Sequence, residues 1–130
     1  VRLLLDTHIL LWWVMADRRL SKSTRAQIAS TDNDVSVSAA SFWEIAIKAS
    51  LGRIDADIAE LQAAAAADGF EELPVRCAHT LPLASLPNHH QDPFDRLLIA
   101  QSIAEGRRLL TADTAILAYQ GVRGFDPLTA

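Results

Sequence analysis

With a single cysteine, Cys77, this 130-residue chain can form neither an internal disulfide nor a cysteine-based metal site. No apolar run approaches the ~20 residues that a membrane-spanning helix needs. The longest, Ile9 to Ala16, follows directly on Asp6 and His8. The opening VRLLLDTH therefore lacks the uninterrupted apolar stretch of a signal peptide. No export signal is read, and the chain is expected in the cytoplasm. Neither a GxxxxGKS/T nor a GxGxxG loop occurs, so a glycine-rich phosphate cradle is not expected. Lysine is also scarce: only Lys22 and Lys48, against ten arginines.

What is present is ordinary for one globular domain: 50% hydrophobic and 22% charged residues over a length that fits a single core. Residues 1–130 read as one domain without repeats or linkers. Arg2–Leu5 is a short apolar run, the pattern of a buried strand. His8 to Ala16 reads as a helix apolar nearly all round, the kind that sits inside a protein. Ser21 is an expected N-cap for a helix to about Ser30. Asp34–Ser38 alternates as a strand does. Ser41 is expected to open a third helix, with Glu44 at the capping-box spacing. Asp57 to Asp68 predicts a helix closed by Gly69, and Glu72–Val75 a strand. Asp92-Pro93 is an N-cap followed by an N1 proline, for a helix ending at Gly106. A strand over Arg107–Leu110 and a short helix from Ala112 to Tyr119 follow. Alternating strands and helices predict an α/β fold: a parallel sheet flanked by helices on both faces.

In such sheets ligands bind beyond the carboxyl ends of the strands. Asp6 ends the first strand, and Glu44 is expected in the first turn of the helix after the second. Asp95 lies in the first turn of its helix, and Asp113 lies just past the last strand. Four acids from four places thus face one edge. Crowded carboxylates raise each other's pKa unless a cation neutralises them. Hard oxygen donors of this kind suit Mg²⁺ or Mn²⁺, which leave room for a phosphate. Metal-assisted phosphodiester hydrolysis is the reaction that follows.

Each acid also has a structural reading. Asp6 and Asp113 could cap the helices after them, and Asp92 reads first as an N-cap. Asp95 at N3 gains from the helix dipole in any case. Glu44 could serve only Ser41 or an i,i+4 pair with Lys48, although charges seldom enter so apolar a helix without a partner. His89 and His90 adjoin the Asp92–Asp95 turn, and either could be ligand or solvated loop. Thr7 and Thr111 could hold water, an acid or a helix end. Trp12, Trp13 and Trp43 are expected in the core rather than as stacking platforms for bases. The net charge of −4 does not exclude nucleic acid. If four of the sixteen acids sit on metal, the remaining twelve balance the twelve bases.

The segments LLLDTHILLW, VSVSAASFWEIAIK, PNHHQDPFDRLLIAQS and LLTAD, in this order and spacing, resemble those of the PIN-domain ribonucleases. More narrowly, they resemble the VapC-type toxins of bacterial type II toxin–antitoxin systems. The resemblance spans nearly the whole chain. It implies a PIN-like α/β/α sandwich and an acidic quartet of Asp6, Glu44, Asp95 and Asp113 that holds Mg²⁺ or Mn²⁺ and hydrolyses RNA. It further implies a homodimer and a cognate VapB-type antitoxin that keeps the enzyme inactive. The chain departs from the family's habit at Ala112, where a polar or basic residue is common, and at Ile116, where an aromatic is. An arginine from the antitoxin would complement the acidic site. A groove near Ile54, Ile58 and Leu61 could take its helix, unless those three side chains pack in the core.

Two other classes stay in view. A receiver-type phosphoacceptor needs a lysine after a late strand, and a dehalogenase-type one needs DxD after the first strand; neither pattern occurs. A non-catalytic PIN-like module that binds RNA or protein would keep the fold without the reaction.

Overall fold

The chain, described over residues 1–130 by a computed structural model, is organised around its first apolar run. β1 (Arg2–Leu5) lies at the centre of a five-stranded parallel sheet. It pairs with β2 (Asp34–Ser38) on one side and β4 (Arg108–Thr111) on the other. β3 (Glu71–Leu73) and β5 (Leu128–Thr129) complete the order β3-β2-β1-β4-β5. A strand covered on both faces can be apolar at every position, and Leu3, Leu4 and Leu5 are all fully buried. Leu3 and Leu5 join a core with Ile9, Leu10, Val35, Val37 and Ile45. Leu4 faces the opposite core with Leu98, Ile99, Leu109 and Tyr119.

The first core is covered by α1 (Thr7–Val14), α2 (Lys22–Ala29), α3 (Ala39–Ser50) and α4 (Ile58–Ala67). The second is covered by α6 (Pro93–Glu105) and α7 (Thr114–Leu117), with Leu83 of α5 (Thr80–Ser85) packed against it. The expected α/β/α sandwich is what forms. Ser21, Asp57 and Asp92 cap their helices as the sequence indicates. Gly106 ends α6 in the left-handed region at φ 63°, which costs glycine least.

Four expectations need correction. α3 opens at Ala39, because the hydroxyl of Ser38 at the end of β2 already accepts the Ala40 N–H at 3.0 Å. Ser41 is instead buried inside the helix, accepting a hydrogen bond from the Thr7 hydroxyl at 3.0 Å. Glu44 therefore sits beyond the first turn and belongs to no capping box. α1 is not covered all round: Ile9, Leu10 and Leu11 are buried, Trp12, Trp13 and Val14 only partly, and His8 is exposed. Trp43 is 60% exposed, edge-on to Phe94, and so is not core.

Of the three residues considered for a partner's groove, Leu61 is buried, and Ile54 and Ile58 pack partly buried against the first core. The 3₁₀ turn at Cys77–His79, the short α5 and the two-residue β5 are elements that periodicity does not announce. No helix is long and apolar enough to cross a membrane.

Candidate active site

Because the sheet is parallel, β1, β2 and β4 all end at one edge. The Leu5–Leu110 register makes Asp6 and Thr111 lateral neighbours just beyond it, and the Asp6 N–H still reaches the Leu110 carbonyl at 3.1 Å. Asp6 then leaves the strand in extended conformation as the N-cap of α1, its Oδ1 accepting from the Ile9 N–H at 3.0 Å. Its Oδ2 accepts the hydroxyl proton of Thr111. Thr111 in turn accepts the Asp113 N–H at 3.0 Å, and Asp113 caps α7 through the Ala115 N–H at 2.9 Å. The capping readings of Asp6 and Asp113 are thus both observed, and the caps fix the orientation of the two carboxylates. Burial is the main cause that pushes the Asp6 carboxyl above its ordinary range, against the hydrogen bonds from Thr111 and Ile9.

On the neighbouring helices, Asp92 caps α6 by accepting the N–H groups of Phe94 and Asp95 at 2.9 and 3.0 Å. That cap fixes where Asp95 leaves the helix. The Asp95 carboxyl is pushed up to about 6, chiefly by burial and further by the charges of Asp92, Asp113 and Glu44; a hydrogen bond with His90 opposes the shift. Glu44 is 4% exposed. Its Oε2 pairs with Lys48 Nζ at 2.9 Å, the i,i+4 contact foreseen from spacing. Its Oε1 is buried without any hydrogen-bond partner. A buried carboxylate oxygen left unpaired is costly, and a cation is the partner that removes the cost.

Behind Asp95 stands a network that the sequence alone did not reveal. His90 approaches Asp95 Oδ2 with Nε2 at 3.1 Å and the Tyr119 hydroxyl with Nδ1 at 2.8 Å. Arg96 donates to that hydroxyl at 2.9 Å and to the carbonyls of Pro87 and Leu86 at 2.7 and 3.2 Å. His89 packs beside the Tyr119 ring, centroids 4.7 Å apart. The sequence signal for this support was the placement of His89 and His90 beside the Asp92–Asp95 turn; the parts played by Arg96 and Tyr119 had none.

As they stand, no three His, Cys, Asp or Glu side chains converge closely enough to hold one ion. Each acid is turned to an internal partner: Asp6 to Ile9 and Thr111, Asp95 to His90, Glu44 to Lys48, Asp113 to Ala115. The donor set still fits a hard divalent cation. It is all carboxylate oxygen, two of its members are buried, and one buried oxygen is orphaned. Asp6 and Asp113 open into a cleft of about 260 Å³ whose walls also include His8, Trp12, Arg19 and Ala112. Glu44 and Asp95 lie outside its walls.

The PIN domain family matches residues 3–122. The chain is 30% identical over 122 residues to Ribonuclease VapC22 of Mycobacterium tuberculosis, covering 92% of this chain and 93% of that one. Its fold is similar to VapBC2 from Rickettsia felis, solved bound to a DNA fragment from its promoter: TM-score 0.72, 14% identity, 99% of this chain and 98% of that one. VapBC-1 from nontypeable Haemophilus influenzae gives a TM-score of 0.70 at 12% identity, with the same coverage. VapBC-5 from Mycobacterium tuberculosis, a member of the VapBC family of toxin–antitoxin systems, gives 0.67 at 18%, again over 99% and 98%. At these identities the solved structures speak for the fold alone.

Proposed function

Because the chain belongs to the PIN-domain family and to its VapC-type ribonucleases, we propose that it is a divalent-metal-dependent endoribonuclease acting through Asp6, Glu44, Asp95 and Asp113. The observation that carries the reading is the orphaned Oε1 of Glu44, buried near a carboxyl whose pKa its charge helps to raise. These four side chains would hold Mg²⁺ or Mn²⁺. When bound, such an ion supplies water activation and offsets the charge that builds on the phosphoryl oxygens during in-line displacement.

The chain's own contribution is placement. Thr111 ties Asp6 to the backbone of Asp113 in one hydrogen-bonded unit, so two acids from distant parts of the chain move together. Asp92 and His90 hold Asp95 from two sides. Lys48 keeps one Glu44 oxygen engaged while leaving the other available. Apolar packing beneath the acids, from Leu5, Leu110 and Ile45, excludes water from the floor of the site and strengthens every charge interaction above it.

The same reading assigns the chain to a toxin–antitoxin pair in the cytoplasm, as a homodimer held inactive by a VapB-type antitoxin. Support for the antitoxin partner comes from the VapBC neighbours and from an acidic cleft that a partner's arginine would complement. The test is cleavage of single-stranded RNA by the purified chain. Activity is expected to vanish in excess chelator and to return with Mg²⁺ or Mn²⁺. Undiminished cleavage in chelator would overturn the metal mechanism. RNA binding without cleavage under any of these conditions would make the chain a non-catalytic PIN-like module.

A further inference from the structure

The cleft below Asp6 and Asp113 has a second wall that the acidic reading does not use. Trp12, near the exposed His8 of α1, is half-buried: it packs in part against the first core and in part faces the cleft. The Arg19 guanidinium carbon lies over its ring, 5.0 Å from the centroid. Both side chains line the cleft with the two acids. Both also line an adjoining cleft of about 310 Å³ that runs on toward Ile54 and Asp55, so they stand where the two meet.

Arg19 is held in place by its own turn. Its Nε and one terminal nitrogen donate to the two Asp17 oxygens at 3.1 and 2.8 Å, and its backbone N–H adds a third bond at 2.9 Å. Those bonds hold the Asp17 carboxyl down at about 2. The turn is pinned from below by Arg25, which donates to the Asp17 carbonyl at 2.8 Å. The remaining terminal nitrogen of Arg19 has no hydrogen-bond partner, and the side chain is 68% exposed.

An exposed ion pair of this kind adds little stability, and a tryptophan facing a cleft gives up burial that a core site would supply. A phosphodiester substrate supplies a reason for both. Carboxylates repel its phosphates, and Arg19 is the only arginine or lysine on the walls beside them. Aromatic faces accept any base by stacking, and arginine contacts the intervening phosphates.

We propose that Trp12 and Arg19 form a nucleotide subsite of the ribonuclease. Arg19 takes a backbone phosphate of single-stranded RNA next to the one that is cut, and Trp12 takes the adjoining base. The inference rests on the ribonuclease reading above.

It is tested with a short fluorescein-labelled single-stranded RNA of mixed sequence, comparing wild type, Arg19→Gln, Trp12→Leu and Trp12→Phe. Melting temperatures are followed in parallel. Arg19→Gln should raise KM and Kd roughly 5-fold or more with kcat nearly unchanged, and should lower the slope of log Kd against log salt by about 0.7, one phosphate contact on a single strand. Trp12→Leu should weaken binding by roughly 5- to 150-fold, the range for one stacked base, and Trp12→Phe should recover most of it. If the wild type cuts RNA while Arg19→Gln and Trp12→Leu match it in KM, Kd and salt slope, the subsite is wrong and the ribonuclease reading stands. If a variant loses only kcat in step with its melting temperature, the residue is structural and the subsite is again wrong. If the wild type neither binds nor cuts RNA with Mg²⁺ or Mn²⁺, both readings fall together.

Discussion

Thr111 gives its hydroxyl proton to Asp6 Oδ2 across 105 residues of sequence, and the same hydroxyl oxygen receives the Asp113 N–H. One fully buried side chain thereby sets the positions of two acids at the edge of the sheet. Thr111→Val keeps the shape and removes both bonds, leaving a buried carboxylate oxygen and a backbone N–H without these partners. We expect a stability loss of about 1–3 kcal/mol and weaker metal binding, read by denaturant melts with and without Mg²⁺. A variant as stable as wild type that binds metal equally well would show that the bridge does not organise the site.

Glu44→Gln separates a ligand from a helix residue. Its position beyond the first turn of α3 leaves no capping role to lose, and glutamine fills the same volume. Melting should stay close to wild type, while RNA cleavage should fall by at least the roughly 10–100-fold that loss of a partner to a metal ligand costs. Retained turnover with a lowered melting temperature would mean that the Lys48 pair is the whole purpose of this glutamate.

The metal-free protein should lose stability as pH rises through mildly acidic values. Asp95 holds its proton up to about pH 6 in the folded chain, against 3.8 ordinarily, and Asp6 is shifted in the same direction. The folded state therefore binds more protons than the unfolded one across this window, and stability declines with rising pH. In chelator the melting temperature should drop between about pH 4 and pH 7, and Asp95→Asn should remove much of the drop. Divalent ions compete with that proton, so metal affinity should rise over the same range. A melting temperature that climbs with pH in chelator would contradict the assigned burial of these acids.

Tyr119→Phe tests the support behind Asp95. The ring stays in the second core, but Arg96 and both the backbone N–H and ring Nδ1 of His90 lose their shared hydroxyl. We expect a loss of about 1–3 kcal/mol and faster amide hydrogen exchange over residues 86–90. Cleavage should fall through kcat, because a misplaced carboxylate affects the reacting geometry. Unchanged exchange and unchanged kcat would leave His90 a bystander.

Much of the fold was legible because local signals and tertiary placement agree. β1 and β2 announced themselves through a continuous apolar run and an alternating one, and Asp92-Pro93 and Gly106 marked both ends of α6. The sequence erred where tertiary contacts decide. Ser41 has the right chemistry and spacing for a cap, but Ser38 stands at the end of the strand and reaches the free N–H first, while Ser41 faces Thr7. Trp43 looks like core by composition, yet α3 turns it outward beside Phe94. The partnership of His90, Arg96 and Tyr119 joins residues separated by up to 29 positions, and no local pattern encodes it. α5 and β5 are too short to show a period at all.

The central position of β1 also sets a timetable for biosynthesis. Its partner β4 carries Thr111 and leads to Asp113, and both emerge from the ribosome long after Asp6. At ordinary elongation rates of roughly 5–20 residues per second, the 105-residue gap between Asp6 and Thr111 lasts roughly 5–20 s. A nascent chain bearing the first three acids has no fourth strand to close against β1 and no hydroxyl to hold Asp6. On the proposed mechanism such a chain would be inert while still being made, because Asp6 gains its Thr111 partner, and Asp113 its place beside it, only when β4 pairs with β1.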